Sequence, residues 1–123
     1  MTMIMLVDDS RTILMSLTSV LTKAGYRVET AGNGSEALGK VTAGLRPNLI
    51  ISDVNMPVMD GITFAREARG VPGMRFTPIL MLTTESEQSK RTAAKQAGAT
   101  GWLVKPVAPD QLLTVIKQIL PGA

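Results

Sequence analysis

Short, almost wholly apolar runs alternate along the chain with segments of helical periodicity. Met3 to Val7, Ile79 to Leu82 and the run Leu49-Ile50-Ile51 before Ser52 are apolar throughout, the signature of strands buried on both faces. Gly101 to Val104 is a further short strand. In Arg27 to Ala31, polar residues alternate with Val28 and Thr30, which suggests a strand at a sheet edge. Between the strands lie the helical stripes. Ile13, Leu14, Leu17, Val20, Leu21 and Ala24 share one face and stop at Gly25; Ser10 or Asp9 is placed to cap that helix. Asn33-Gly34 reads as a turn. Ser35 to about Ala43 is predicted helical, with Ala37, Leu38 and Val41 inward and Gly44 after it, and a short helix is predicted over Ile62 to Arg69. A helix from about Glu87 to Ala97 has a stripe of small residues, Ala93, Ala94 and Ala97, and a basic face of Lys90, Arg91 and Lys95. Pro109 opens the last helix in its first turn, where a missing N–H costs little, and Leu112, Leu113, Ile116, Ile119 and Leu120 form its apolar face.

Five strands alternating with five helices predict an α/β fold: a parallel sheet covered on both faces, with right-handed crossovers. For five (βα) units the doubly wound, flavodoxin-like strand order 2-1-3-4-5 is expected, with ligands held at the carboxyl ends of the strands. Each inner strand, read to that end, delivers a polar group: Asp8 and Asp9 after the first, Asp53 after the third, Thr83 after the fourth and Lys105 after the fifth. Asp53 on its own divides evenly between a helix cap and a chemical centre. Thr83 alone is an ordinary strand-end residue, and Lys105 an ordinary surface lysine. Convergence of all of them at one rim favours chemistry. Three carboxylates so placed repel one another and require a cation or protons. Oxygen ligands without His or Cys select a hard ion such as Mg²⁺. With Lys105 as a fixed positive charge and Thr83 as a hydroxyl donor, the set describes phosphoryl transfer to an aspartate.

Composition narrows the picture. The 123 residues, 45% of them apolar, suit one domain spanning 1–123. No apolar run approaches the roughly 18 residues of a membrane span, and the start lacks a signal-peptide pattern, so a cytoplasmic protein with no membrane insertion is expected. The absence of Cys excludes thiolate chemistry, and the absence of His means that the chain cannot itself carry a phosphohistidine. The net charge of +3 is scattered over 13 basic residues, with no interleaved aromatics; DNA binding is therefore not expected.

Asp8-Asp9, Asp53-x-x-Met56-Pro57, Thr83 and Lys105-Pro106, in this order and spacing, resemble the receiver domains of two-component response regulators, and the resemblance covers the whole chain. With no output domain in view, the stand-alone chemotaxis CheY type is the nearest likeness. The resemblance implies that Asp53 is the phosphoacceptor. It implies that Asp9, Asp53 and the Asn55 backbone carbonyl ligate Mg²⁺ directly, while Asp8 acts largely through water. Lys105 would contact the phosphoryl group and Thr83 would hydrogen-bond to it. The Lys105-Pro106 bond is expected to be cis. The family's switch residue, usually Tyr or Phe, falls on Trp102, and the switch role is favoured there over that of a half-exposed packing residue. Val107 stands where Phe is common, a neutral packing change. Asn55 and Glu85 would tune dephosphorylation. The surface of the fourth helix, fifth strand and fifth helix would meet a partner, with Lys90, Arg91, Lys95 and Trp102 on it; the basic residues suit an acidic partner as well as they suit a solvated face.

Implied partners are a histidine kinase of the CheA type as phosphodonor, a flagellar motor switch protein or another adaptor as target, and a phosphatase. A phosphate sink is the alternative output. Two other classes fit less well. A haloacid-dehalogenase-like hydrolase needs Asp-x-Asp after the first strand and a substrate cap; here the sequence is Asp8-Asp9-Ser10. A flavin carrier needs a phosphate loop where two carboxylates stand. The chain is therefore expected to be no enzyme beyond its own phosphorylation and dephosphorylation.

Overall fold

A computed structural model describes residues 2–84 and 90–120. The elements follow in the order β1 (Met3–Val7), α1 (Arg11–Lys23), β2 (Arg27–Ala31), α2 (Gly34–Thr42), β3 (Leu49–Asp53), α3 (Gly61–Arg69), β4 (Ile79–Thr83), α4 (Arg91–Gln96), β5 (Gly101–Val104) and α5 (Pro109–Ile119). The strands form one sheet in the order β2-β1-β3-β4-β5, and every neighbouring pair is parallel. The expected doubly wound topology is thus the observed one.

The two-residue period of the strands sorts their side chains between two cores. Met5, Val7, Ile50, Ile79 and Met81 face one side, against Ala37 and Val41 of α2, Phe64, Ala65 and Ala68 of α3, and Ala94 of α4. Ile4, Leu6, Leu49, Ile51, Leu80 and Leu82 face the other, against Leu21 of α1 and Leu112 and Ile116 of α5. This explains the unbroken apolar runs: each successive residue finds a core, on one face or the other. β2, at the edge, ranges from an exposed Arg27 to a buried Ala31, as its alternation suggests.

Caps set where helices begin. Ser10, not Asp9, caps α1: its hydroxyl accepts from Ile13 N at 3.3 Å. Asn33 is a cap and not only a turn residue, its side-chain oxygen accepting from Glu36 N at 2.8 Å. α1 closes at Gly25, whose φ of 95° suits a residue without a Cβ. Two details correct the periodicity reading. Ala24 is exposed at the end of α1, because the C-cap has already left the apolar stripe. Ala93 is exposed while Ala94 and Ala97 are buried, so the small stripe of α4 is narrower than its composition suggests. The start expected for that helix at Glu87 lies outside the described residues; the helix is described from Arg91.

An arginine that the sequence pattern marks only as the end of α3 ties two loops together. Arg69 donates to Gly98 O at 2.6 Å and to Met74 O and Thr77 O at 2.9 and 2.6 Å. Burial lowers its pKa from the ordinary arginine value, but an arginine keeps its charge. It supplies donors to three loop carbonyls, of which Met74 O also accepts from Thr77 N at 3.4 Å.

Asp60 caps α3, accepting from Thr63 N at 2.8 Å and from Thr63 Oγ1 at 3.0 Å. Burial alone would raise this carboxyl, but the Thr63 hydrogen bonds prevail and hold it below its ordinary 3.8. A carboxylate with a depressed folded pKa stabilises the fold above its unfolded pKa, and the contribution disappears as pH falls through the folded value. Asp60→Ala is therefore expected to cost about 1 kcal/mol at neutral pH. The gap from the native chain should narrow below about pH 4. Urea unfolding at a series of pH values checks this; a gap independent of pH would refute the assignment of the charge.

Candidate functional site

The carboxyl ends of β1, β3, β4 and β5 meet at one rim. Asp8 follows β1 and is buried, Asp53 ends β3 with 6% exposure, and Thr83 ends β4 with 2%. Asp9 is exposed at the same edge. Carboxylate oxygens of Asp8, Asp9 and Asp53 lie within 4.8 Å of one another.

Lys105 reaches into this group from the end of β5. Its Nζ stands 3.0 Å from Asp53 Oδ1 and 3.2 Å from Asp8 Oδ2. Backbone bonds hold the strand ends in place: Lys105 N donates to Thr83 O at 2.6 Å, Val54 N to Leu82 O at 3.3 Å, and Asp8 N to Ala31 O at 3.1 Å. The Lys105–Pro106 bond is cis, as expected. Asp8 is further fixed by Ser10 N, which donates to its Oδ1 at 2.9 Å.

Burial raises the pKa of Asp53, and the charge of Asp8 adds to this; the hydrogen bond and charge of Lys105 oppose the rise without cancelling it. Burial alone would lower Lys105, but the hydrogen bond and charge of Asp53, with those of Asp8, outweigh it and hold the ammonium above its usual value. The lysine is therefore a permanent cation between two buried carboxylates. One ammonium facing three carboxylates leaves an excess of negative charge, which a further cation would relieve. Thr83 adds a second sign of unfinished chemistry: its Oγ1 is buried without a hydrogen-bond partner among the described residues, and such a group calls for one.

The β3–α3 loop closes the rim. Gly61 packs so tightly that a Cβ there would overlap Asp53 O, and Ser52 Oγ donates to the same carbonyl at 2.9 Å. Asn55 is exposed, and its side-chain oxygen accepts from Lys90 Nζ at 2.7 Å. Lys90 is thus engaged with this loop; the sequence placed it on an open basic face. Arg91 is engaged as well. Its guanidinium lies over the Trp102 ring, 4.9 Å from the centroid, and its Nε is buried without a hydrogen-bond partner among the described residues. Trp102 is half-buried against the core beneath α4. Lys95 remains exposed. Glu85 lies outside the described residues. Val107 is partly buried against the opposite core.

Sequence reasoning gathered Asp8, Asp9, Asp53, Thr83 and Lys105 correctly at one rim. It missed the Lys90–Asn55 bond and the Arg91–Trp102 stacking. The first joins residues 35 apart in the chain and the second joins neighbouring elements, Arg91 of α4 and Trp102 of β5, and neither has a fixed spacing to announce it.

A five-stranded doubly wound sheet with this acidic rim has the CheY-like form of the flavodoxin fold. The chain belongs to the response regulator receiver domain family, whose model matches residues 4–117. Chemotaxis response regulator CheY4 of Vibrio cholerae is 48% identical, with a TM-score of 0.91 over 98% of this chain and 99% of that one. The receiver domain of sensor histidine kinase PA1611 from Pseudomonas aeruginosa, solved with a magnesium ion coordinated in its active-site cleft, is 30% identical, with a TM-score of 0.86 over 95% of each chain. Response regulator MprA of Mycobacterium tuberculosis is 39% identical over 117 residues, which are 95% of this chain and 50% of MprA. The chain thus spans about half the length of the curated relatives it matches. Family membership implies a histidine kinase as phosphodonor and a downstream target. Among the described residues, no helix is long and apolar enough to cross a membrane.

Proposed function

We propose that the chain is a phosphoacceptor signalling domain in which Asp53 receives a phosphoryl group from a histidine kinase. The observation that carries this reading is the Lys105 ammonium held 3.0 Å from Asp53 and 3.2 Å from Asp8. It places a fixed positive charge beside the one carboxylate that is central to the rim.

In the proposed cycle an Asp53 oxygen attacks the phosphorus of a phosphohistidine in line. The N–P bond breaks as the O–P bond forms, and the departing imidazole takes up a proton. Lys105 exchanges part of its contact with Asp53 for a phosphoryl oxygen and neutralises charge there. Asp8, Asp9 and Asp53, with the Asn55 main-chain carbonyl, are the residues that would hold Mg²⁺; the oxygen-only donor set and the crowding of three carboxylates within 4.8 Å suit a hard divalent ion. The ion supplies charge neutralisation at the phosphoryl oxygens. The magnesium-bound PA1611 receiver domain supports this reading. Water later cleaves the O–P bond, releasing inorganic phosphate and regenerating the carboxylate; Asn55 and Glu85 are proposed to tune that step. The chain then catalyses only its own phosphorylation and dephosphorylation.

The buried Thr83 hydroxyl, lacking a partner among the described residues, is the proposed sensor: a phosphoryl oxygen on Asp53 would accept from it. Its inward movement opens space for the Trp102 ring, so that α4, β5 and α5 present a changed surface carrying Lys90, Arg91, Lys95 and Trp102. This is a population shift between two states biased by one covalent group. The likeness to CheY4 supports a chemotaxis output, binding to the flagellar motor switch after phosphorylation by a CheA-like kinase. A phosphate sink or an adaptor in another two-component pathway is the alternative, and the likeness to response regulator MprA, of which the chain spans half, supports keeping it.

Incubation with Mg²⁺ and acetyl phosphate is expected to add one acid-stable, base-labile phosphoryl group, absent from Asp53→Asn. Mass spectrometry reads it, and labelling that survives the substitution would contradict the assignment. Trp102 is the only tryptophan, and its emission should change on activation; an invariant spectrum would remove it from the switch. Activated protein should be retained by immobilised flagellar motor switch protein about tenfold better than the unmodified form, a difference of about 1.4 kcal/mol. Equal retention would leave the sink or adaptor reading in its place.

A further inference from the structure

Charge is divided between the two ends of the sheet. The helices run back against the parallel strands, so each loop from a helix to the next strand lies at the end opposite the Asp53 rim. These loops, residues 24–26, 43–48, 70–78 and 97–100, contain no Asp or Glu. The same end carries Lys23, Arg27, Arg46, Arg69, Arg75 and, in the last turn of α5, Lys117. Of these six, only Arg27 has a carboxylate within ion-pair distance among the described residues, Glu29 at 3.9 Å, and so exposed a pair neutralises little. Glu67, exposed in α3, pairs with none of them. Arg46 and Arg69 donate instead to main-chain carbonyls, Arg46 to those of Val41, Leu45 and Pro72 and Arg69 to those of Met74, Thr77 and Gly98. A carbonyl accepts the hydrogen bond but leaves the net charge in place.

Local demands account for part of this. A basic residue in the last turn of a helix answers the helix dipole, which covers Lys23, Arg69 and Lys117. Arg75 and Phe76, in the loop from α3 to β4, answer no such demand. Phe76 is 86% exposed. The Arg75 guanidinium lies over its ring, 5.4 Å from the centroid, and makes no hydrogen bond or ion pair among the described residues. An exposed aromatic by itself is ordinary on a protein surface. Within a cationic face it has the make-up of an interfacial anchor, an apolar ring beside a group that seeks anions.

The spread of the charge identifies the partner. Across the order β2-β1-β3-β4-β5, with strands about 4.8 Å apart, the face from Arg27 at β2 to Lys117 beyond β5 is roughly 19 Å wide. An open groove of about 490 Å³ beside Phe76, between Pro47 and Pro78, has room for a side chain of an acidic protein segment. Such a segment would leave Lys23, Arg27 and Lys117 unengaged. A flat anionic surface engages all of them together.

We infer that this end of the sheet is a peripheral docking face for an anionic phospholipid bilayer, with Phe76 entering the headgroup layer and Arg75 on the lipid phosphates. No part of the chain crosses the bilayer. The Asp53 rim lies a strand's length away, roughly 15 Å, which exceeds the Debye length of about 8 Å at physiological salt. Its carboxylates are therefore screened from the lipid charge, and the rim faces the solution.

The test sediments the 123-residue chain with vesicles of phosphatidylcholine alone and with vesicles of equal parts phosphatidylcholine and phosphatidylglycerol. Binding is expected to the anionic vesicles only, and should disappear at about 1 M salt, where the Debye length is about 3 Å. Each lysine or arginine at such a surface strengthens binding about fivefold, so Arg75→Glu, which removes a positive charge and adds a negative one, should weaken it roughly twentyfold. Phe76→Ser should weaken it about tenfold and leave its salt dependence unchanged. Arg11→Glu makes the same change of net charge at the exposed start of α1, beside the acidic rim, and should bind within about twofold of the native chain. Both substituted residues of the docking face are exposed, and the far-UV circular dichroism of these variants should match that of the native chain. Equal binding to both kinds of vesicle overturns the inference. So does an equal loss in Arg11→Glu, since net charge and not this face would then drive adsorption. Absence of binding to either vesicle also overturns it, and retention on an immobilised glutamate-rich peptide, lost in Arg75→Glu, would then assign the face to an acidic protein segment.

Discussion

Two carboxylates from separate strands, Asp8 and Asp53, are buried side by side, and one lysine from a third strand stands between them. An isolated charge is not tolerated in such surroundings, so the three groups require one another. Their positions in turn require the sheet. β1, β3 and β5 must end at the same level, and the parallel order β2-β1-β3-β4-β5 brings those ends together. The two apolar cores on either face keep the sheet flat to its helices, so the rim is held by packing on both sides and not by the charges themselves.

That the rim could be found in the sequence follows from how parallel strands are written. A strand buried on both faces is apolar until it reaches the solvent edge, so the first polar residue after each run marks the edge. Asp8, Thr83 and Lys105 were legible for that reason, and Asp53 as the first charged residue after its run, one past the buried Ser52. Helix faces were less so. Ala24 and Ala93 are small enough to lie on either side of a helix boundary without penalty, and composition cannot sort them. Asn33 was legible as turn chemistry, but the hydrogen bond to Glu36 N that makes it a cap depends on the helix starting at Gly34. Arg69 and Val58 were not legible at all. Arginine at a helix end is ordinary, and only tertiary geometry turns it toward Gly98, Met74 and Thr77. Valine after Pro57 gives no sign of the φ of 71° that Val58 adopts.

The face beneath α4 differs in kind from the face beneath α1 and α5. Its buried residues include Met5, Met74, Met81 and several alanines beside Val7, Val41, Ile50, Val54, Phe64 and Ile79, with Met56 and Met59 at its edge; the other is built of leucine, isoleucine and Tyr26, with no buried methionine or alanine among the described residues. Methionine adapts its shape with little loss of contact, and alanine buries little area. Trp102 and Arg91 rest on the adaptable side. The stacking of guanidinium on indole, at 4.9 Å, is of a strength that an exchange of rotamers can replace. The proposed switch therefore lies over the softer of the two cores, while the Asp53 rim itself is braced by both.

Arg69 gives α4 mechanical asymmetry. By gripping Gly98 O, just past the end of that helix, along with the carbonyls of Met74 and Thr77, it pins the helix at the end far from the acidic rim. At the near end, among the described residues, Lys90 donates to the exposed Asn55 side chain and Arg91 lies over the Trp102 ring. The two ends of the helix are thus held by different means, main-chain carbonyls at Gly98 and side chains at Lys90 and Arg91, and in the proposed switch the end held by side chains is the one free to exchange its contacts by rotamer changes.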